Sequence, residues 1–209
     1  TRTFKGKSYT VHCRAPRDAA FVQKDDIDAT KPIMEGEVQF LDENKLAEGH
    51  AYCSVGRAAV SPSGKLLAYT LDLTGGETYD IIVLDLTTNA QIDKVSEVDS
   101  PVIWGADDTQ VFYNKMDEQH RPFQTYSHTL NTPTTADRKL FEEPDELFWL
   151  SISKSQDGKF MFIESSSKET TEILFVDLSL FVDLSSSNST PNSTPNSTPN
   201  STPNSTAAK

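Results

Sequence analysis

Candidate catalytic and ligand-binding residues are scattered along this chain and do not form a single motif. The stretch FKGKSYT at 4–10 contains GKS, the end of a phosphate-binding loop. Such a loop needs a glycine five positions before Gly6, where Thr1 stands, and a helix after it, whereas strand-forming residues follow here. We therefore interpret GKS as the turn of a β-hairpin.

Other candidates for a nucleophile or a base also lack the spacing that catalysis requires. No GxSxG sequence occurs, and Ser61, Ser153 and Ser165 lie in turn or strand patterns without the strained elbow that exposes a nucleophile. The histidines show no HxxxH or HExxH spacing, so structural hydrogen bonds are their expected role: His12, His50, His120 and His128. We assign no catalytic residue, no metal ligand and no cofactor-binding residue.

The segment FEEPDELFW at 141–149 is the densest group of carboxylates. They surround Pro144: Glu142, Glu143, Asp145 and Glu146. Paired carboxylates could hold a cation or the guanidinium of a substrate. We favour a solvated turn that precedes a buried Phe148 and Trp149, because runs of charge usually face water. Arg121, in HRPF just before a strand, is expected to anchor a neighbouring loop.

Cys13 and Cys53 are the only cysteines, and both lie in strand-like contexts. Small buried thiols are the expected outcome, because neither residue has neighbouring ligands for a zinc site. Reduced thiols favour a cytoplasmic protein. The chain begins at Thr1 inside a strand-like pattern, and we expect the natural N-terminus to lie before it, so the lack of a signal peptide says little about the compartment.

Charge and length limit the possible partners. The chain has 209 residues, and its 31 acidic and 19 basic residues give a net charge of −12. An acidic body repels phosphate backbones, which argues against nucleic acid, and no apolar run is long enough to cross a membrane. A cationic peptide or a basic protein would be attracted, although solubility alone also explains the acidity.

The elements that position these residues form a repeated unit. Each copy has an apolar residue, a short polar turn and an apolar strand: VSPSGKLLAY at 60–69, IWGADDTQVFY at 103–113 and ISKSQDGKFMFI at 152–163. A second strand follows each copy and ends at Leu86, Leu130 or Leu178, so the closing leucines are about 45 residues apart. That period, with several short strands per unit, is typical of propeller blades.

We therefore predict an all-β fold, a partial β-propeller of about three to four blades, each a four-stranded antiparallel sheet. Tyr69, Tyr113 and Phe162 should lie in corresponding strands of successive sheets, because each has the same distance to the next closing leucine. A sandwich of similar strands is the alternative, although it does not require the repeated spacing. The one expected helical turn lies in LDENKLAEG at 41–49.

The C-terminal end departs from this plan. LFVDLS at 174–179 should close the last unit, and an identical copy follows at 180–185 without a turn between them. Low-complexity NSTP repeats then fill 186–209. We predict a propeller domain at 1–185 and a disordered tail at 186–209 that arose by repeat expansion or a truncating join. The NST units are glycosylation acceptors only in a secreted chain.

Several stretches resemble the propeller of oligopeptidase B, in the prolyl oligopeptidase family of serine peptidases. They agree in order and spacing over about residues 1–179, and the most specific are LAEGH, SPSGKLLAY, HRPF and SSSKETTEI. The resemblance implies a seven-bladed propeller that covers an α/β-hydrolase domain and admits only short peptides. It also implies that a Ser–Asp–His triad in the hydrolase domain cleaves these peptides after Arg or Lys. No position here matches the triad motifs.

The preferred interpretation is thus a non-catalytic, substrate-gating part of the propeller of an oligopeptidase B-like serine peptidase. Its expected partners are the absent α/β-hydrolase domain and, through the parent peptidase, short basic peptides. Two alternatives stay open. One is a stand-alone propeller-type module that binds proteins without enzymatic activity, and the other is a secreted, glycosylated protein built on the same blades.

Overall fold

The computed structural model describes residues 1–20 and 33–181, and this part of the chain is almost entirely β-structure. Its strands form four antiparallel sheets, numbered I to IV in chain order. Sheet I contains β1 (Arg2–Thr3), β2 (Thr10–Arg14) and β3 (Val38–Asp42). Sheet II contains β4 (Ser54–Val60), β5 (Leu66–Asp72), β6 (Tyr79–Asp85) and β7 (Gln91–Val98).

The second half of the described chain repeats this arrangement. Sheet III contains β8 (Val102–Trp104), β9 (Gln110–Met116), β10 (Pro122–Thr129) and β11 (Arg138–Glu142). Sheet IV contains β12 (Trp149–Lys154), β13 (Phe160–Ser166) and β14 (Thr171–Asp177). Helical structure in the described ranges is limited to α1 (Glu43–Leu46) and two 3₁₀ turns, Thr134–Ala136 and Leu178–Phe181. The helix lies inside 41–49, as predicted.

In every sheet, strands that are neighbours in sequence are also hydrogen-bonded neighbours. Tyr69, Tyr113 and Phe162 lie in β5, β9 and β13, the second strands of sheets II, III and IV, which confirms their predicted correspondence. Sheets II and III have four strands each, whereas sheets I and IV have three within the described residues. The longest connection in sheet III runs from β10 to β11 and contains the first 3₁₀ turn.

The turns between the first and second strands explain part of the sequence repeat. SPSGK at 61–65 and SQDGK at 155–159 form the same loop, in which the glycine amide donates to the serine carbonyl at 2.9 Å. In each loop the serine hydroxyl accepts a hydrogen bond from the first amide of the following strand, at 3.1 Å and 2.9 Å. Gly64 and Gly158 have φ of 77° and 74°, a conformation that glycine adopts without strain.

The closing leucines recur because each makes the same backbone contact. The amides of Leu86, Leu130 and Leu178 donate to the carbonyls of Lys65, Thr109 and Lys159 at 2.8, 2.8 and 2.9 Å. Each bond ties the end of a sheet's third strand to the turn before its second strand. The leucines therefore recur in the sequence because the same hydrogen bond recurs once in each of sheets II, III and IV.

The core is divided into three layers, one between each pair of successive sheets. Sheet III contributes to two of them, because Val111 and Tyr113 face sheet II while Phe112 faces sheet IV. All three side chains are fully buried. Successive sheets thus pack face to face, and their first strands β4, β8 and β12 are in contact. This is the architecture of a partial propeller, and the alternative of a two-sheet sandwich is wrong.

Neither residue predicted to be buried after the acidic segment lies in the core, and Phe148 is only half-buried. Trp149 is 53% exposed, so the prediction that it is buried is wrong. It begins β12 on the face that points away from sheet III, whereas Leu150, one position later, is buried against sheet III. A shift of one residue along a strand exchanges the two faces.

The two LFVDLS copies differ in structure. The first supplies the end of β14, as predicted, and Leu178 is buried. The second starts in the 3₁₀ turn Leu178–Phe181, with Leu180 exposed and the Phe181 ring against Phe112 at 5.4 Å between centroids. Residues 182–209 lie outside the described residues. The predicted domain boundary at 185 and the predicted disordered tail both fall in this range and stay predictions.

Candidate functional site

The GKS sequence lies in a hairpin, as predicted. The turn at Lys5 and Gly6 joins β1 to β2, and the Lys7 amide donates to the Phe4 carbonyl at 3.1 Å. A strand rather than a helix follows it, so no helix N-terminus is present to bind a phosphate.

The serines and histidines of the described chain are not brought together. Ser61 belongs to a hairpin turn, Ser153 is exposed, and the Ser165 hydroxyl donates to the Glu143 carboxylate at 2.6 Å. His50 and His120 are exposed, while His12 Nε2 lies 2.6 Å from Glu43 Oε1. Within residues 1–20 and 33–181, no group of His, Cys, Asp and Glu has the arrangement of a metal site.

Among the histidines of the described chain, His128 is fully buried and contacts two carboxylates. Its Nδ1 lies 2.7 Å from Asp137 Oδ1, and its Nε2 lies 3.1 Å from Asp93 Oδ2. The Tyr113 hydroxyl donates to Asp137 Oδ2 at 2.7 Å. Burial, with this hydrogen bond, raises the pKa of Tyr113. Since carboxylates occupy both ring nitrogens, His128 has no atom left to act as a base and instead joins sheet II to sheet III.

Arg121 anchors a loop, as predicted, and the loop is the acidic segment. Its Nε donates to Asp117 Oδ2 at 2.8 Å, and its Nη1 donates to the carbonyls of Glu143, Asp145 and Phe148 at 3.4, 3.0 and 2.9 Å. The side chain is 8% exposed. The segment therefore surrounds a guanidinium of its own chain, through backbone carbonyls rather than carboxylates.

The carboxylates of Glu142 and Glu143, in the acidic segment, have partners within the chain. Glu142 pairs with Lys139 and accepts from the Gln124 amide at 3.0 Å, while Glu143 accepts from the Asp145 amide at 3.0 Å. These contacts agree with a surface turn, the favoured interpretation.

Both cysteines are free thiols, with Cys53 buried and Cys13 half-buried. Burial is the main cause that raises the pKa of each thiol. No helix in the described ranges has the length and apolar character that crossing a membrane would require.

The candidate site is a pocket that the sequence did not reveal. It has a volume of about 770 Å³ and is lined by the first strands of sheets II, III and IV. Arg57 on β4 and Lys154 on β12 supply its positive charge, and Trp104 on β8 lies between them in the sheet order. Only Gly56 inside the strand pattern SVGRAAV signals an irregularity there, because glycine within a strand often marks a bulge.

Comparison with known proteins places the fold in a family. The family model described as "Prolyl oligopeptidase, N-terminal beta-propeller domain" matches residues 1–182. "Protease 2" of Moraxella lacunata is 35% identical over 180 residues, which are 85% of this chain and 25% of the relative. "Dipeptidyl aminopeptidase BI" of Pseudoxanthomonas mexicana is 33% identical over 176 residues, which are 82% of this chain and 24% of the relative.

The solved structures agree with these relatives. Oligopeptidase B from Leishmania major matches with a TM-score of 0.73 and 32% identity, over 83% of this chain and 23% of that chain. The chain thus spans about a quarter of the length of the relatives that it matches. The family model, the sequence identities and the sheet architecture together show that the chain belongs to the prolyl oligopeptidase family, as part of its N-terminal β-propeller domain.

Proposed function

We propose that this chain is the substrate-gating part of an oligopeptidase B-like serine peptidase that cleaves short peptides after Arg or Lys. The observation that carries the proposal is the match to oligopeptidase B over 83% of the chain, with a TM-score of 0.73. In this proposal the chain contributes no catalytic group. It works beside an α/β-hydrolase domain and restricts which peptides reach it.

The charge of the chain supports basic substrates. Its net charge of −12 raises the local concentration of cationic peptides and speeds their approach. The same charge disfavours nucleic acid. A cytoplasmic location stays a prediction, based on the free thiols.

A chimera tests the proposal. Residues 1–181 would replace the equivalent part of Leishmania major oligopeptidase B, and cleavage of fluorogenic peptides with Arg, Lys or Pro before the scissile bond would be compared with cleavage of a folded protein. We expect cleavage after Arg and Lys, and protection of the folded protein. The unaltered peptidase is the positive control, and this chain alone, which should not hydrolyse these peptides, is the negative control.

Two outcomes would contradict the proposal. A chimera that folds but cleaves folded proteins as fast as short peptides would show that this chain does not gate access. A serine-directed reagent that labels the isolated chain and abolishes hydrolysis by it would show that the chain has catalytic groups of its own.

A further inference from the structure

The pocket between the first strands of sheets II, III and IV contains two cations in an otherwise acidic protein. Arg57 and Lys154 line it together with apolar residues that include Pro62, Pro101 and Ile152. Its volume of about 770 Å³ falls within the range of pockets that bind small ligands. Such a pocket could hold a few residues of a peptide.

Arg57 is held at the pocket by a β-bulge. The pairing of β4 with β5 shifts between Val55 and Ala58, so that Gly56 and Arg57 face Thr70. The Arg57 amide donates to the Thr70 hydroxyl at 2.9 Å, and that hydroxyl donates to the Ser100 carbonyl at 2.6 Å. Thr70 is fully buried. Bulges of this kind redirect a side chain, here the guanidinium of Arg57.

Gly56 shows how tightly the bulge is built. A Cβ atom at this position would lie 2.7 Å from Ser100 Cβ, 3.0 Å from Thr70 Oγ1 and 3.1 Å from Tyr79 Cε1. The space at position 56 is too small for any side chain. The surrounding residues therefore fix the backbone next to Arg57. The Arg57 side chain itself is exposed to the pocket and can be replaced without disturbing the core.

Lys154 reaches the pocket from the opposite side. Its Nζ donates to the carbonyls of Trp104 and Gly105 at 2.8 and 2.9 Å, which leaves one of its three donors for a ligand. Burial lowers the pKa of Lys154. Within the described ranges, neither Lys154 nor Arg57 forms an ion pair with a carboxylate.

One carboxylate, that of Asp157, also lines the pocket. It is engaged in its own turn, where it accepts hydrogen bonds from the Ser155 hydroxyl at 2.7 Å and the Lys159 amide at 3.1 Å. With two cations and this one carboxylate among its lining residues, the pocket keeps a net positive charge.

We propose that this pocket binds the carboxylate group of a short peptide. The planar guanidinium of Arg57 provides two parallel donors for a carboxylate, Lys154 adds a third, and the apolar wall packs against the adjoining residues of the peptide. The carboxylate comes either from the peptide C-terminus or from an Asp or Glu side chain. This inference goes beyond gating and does not depend on it, since binding needs no hydrolase domain.

Three probe peptides separate the sources of the carboxylate. Acetyl-Ala-Ala-Ala with a free C-terminus, the same peptide as its amide, and acetyl-Ala-Glu-Ala-amide would be titrated into the full 209-residue chain by calorimetry. We expect the free acid to bind at least about tenfold more tightly than its amide, a difference typical of one charged hydrogen-bonded contact. Binding of the Glu peptide would show that side-chain carboxylates are also accepted, and its failure would identify the C-terminus as the ligand.

Variants assign the binding to the pocket. Arg57→Gln should weaken binding of the free acid at least about tenfold, and Arg57→Lys, which keeps the charge, should recover part of it. Arg138→Gln removes the same charge from the exposed strand β11 outside the pocket and should leave binding unchanged. Thermal unfolding would verify that each variant is folded.

Two results would overturn the proposal. One is that neither the free acid nor the Glu peptide binds more tightly than the amide of acetyl-Ala-Ala-Ala. The other is equal binding by the Arg57→Gln and Arg138→Gln variants. Because the peptides are not cleaved in this assay, neither result bears on whether the chimera described above is active.

Discussion

At the scale of single residues, buried charge in this protein is used to hold loops. Arg121 donates hydrogen bonds to Asp117 and to three carbonyls of the acidic segment. Asp72 accepts hydrogen bonds from amides of the turn that follows β5. Both side chains are almost completely buried. Each therefore stabilises a local structure that has few apolar contacts of its own.

Replacing Arg121 tests the first of these roles. Arg121→Ala should lower the free energy of unfolding by about 3 kcal/mol, because it leaves Asp117 and three carbonyls without a partner. Lys94→Ala is the control. It removes an exposed ion pair with Asp80 and should cost less than about 1 kcal/mol. Urea unfolding measures both changes, and equal effects would contradict the role of Arg121.

Asp72 should make stability depend on pH. Its Oδ1 accepts hydrogen bonds from the amides of Thr74 and Gly75 and from the Thr74 hydroxyl, and its Oδ2 accepts one from the Glu77 amide. Burial alone would raise the pKa of Asp72, but these bonds outweigh burial and lower the pKa below its ordinary value of 3.8. The stabilisation is therefore present above the ordinary value and is lost as the pH falls through the folded-state pKa.

The Asp72→Asn variant tests this dependence. At pH 7 it should be less stable by about 2 kcal/mol, because the amide group places a donor against the Glu77 amide. The difference from the original chain should narrow as the pH falls below about 4, where Asp72 of the unfolded chain begins to bind a proton, and should vanish below the lower folded-state pKa. Urea unfolding between pH 3 and pH 7, with Asp80→Asn as an exposed control, measures it. A difference that stays constant with pH would contradict this assignment.

At the scale of elements, the first strand of each sheet does two things. It pairs with the second strand of its own sheet, and in sheets II, III and IV the first strands also contact one another, β8 with β4 and with β12. β4 combines these roles through its bulge, which packs on Ser100 just before β8. The bulge therefore fixes the position of sheet III relative to sheet II.

Gly56→Ala tests how closely these sheets meet. The added methyl group overlaps Ser100 and Thr70 and should lower the free energy of unfolding by about 2 kcal/mol. Gly105→Ala is a matched control, because a Cβ there lies 3.4 Å or more from its neighbours and should cause no comparable loss. Thermal unfolding distinguishes the two. A Gly56→Ala variant as stable as Gly105→Ala would show that the sheets can separate without cost.

At the scale of the whole molecule, the stack of sheets ends in an exposed apolar face. The side chains of Trp149, Ile173 and Phe175 are 53%, 61% and 69% exposed on sheet IV, and Phe162 pairs with Phe175 on the same face. Large exposed apolar patches promote association. The buried face of the same sheet packs on sheet III through Leu150.

The chain on its own should therefore bind a hydrophobic dye and self-associate through this face. An Ile173→Thr/Phe175→Ser double variant should reduce both effects, because it removes the most exposed apolar side chains of β14. Val38→Thr removes an exposed apolar side chain from sheet I and should leave most of the dye signal. Dye fluorescence and light scattering measure the effects. A monomer that binds no dye before any substitution would contradict this expectation.

Local sequence patterns were enough to predict the paired strands and turns that recur in sheets II, III and IV. These features are local: alternation of apolar residues defines a strand, and the glycine in SPSGK and SQDGK permits the turn between two strands. The closing leucines repeat because each bonds to a turn of its own sheet. Arg121 was also recognised as an anchor from its place before a strand.

Packing between the sheets determines which faces and which distant residues meet, and local sequence patterns do not specify it. Whether Trp149 is buried depends on the sheet beside it, and alternation alone does not say which face a neighbour covers. Arg57, Trp104 and Lys154 lie far apart in the sequence, and they line one pocket because three first strands converge. The His128 cluster joins Asp93 to Asp137 for the same reason, because packing brings two sheets together.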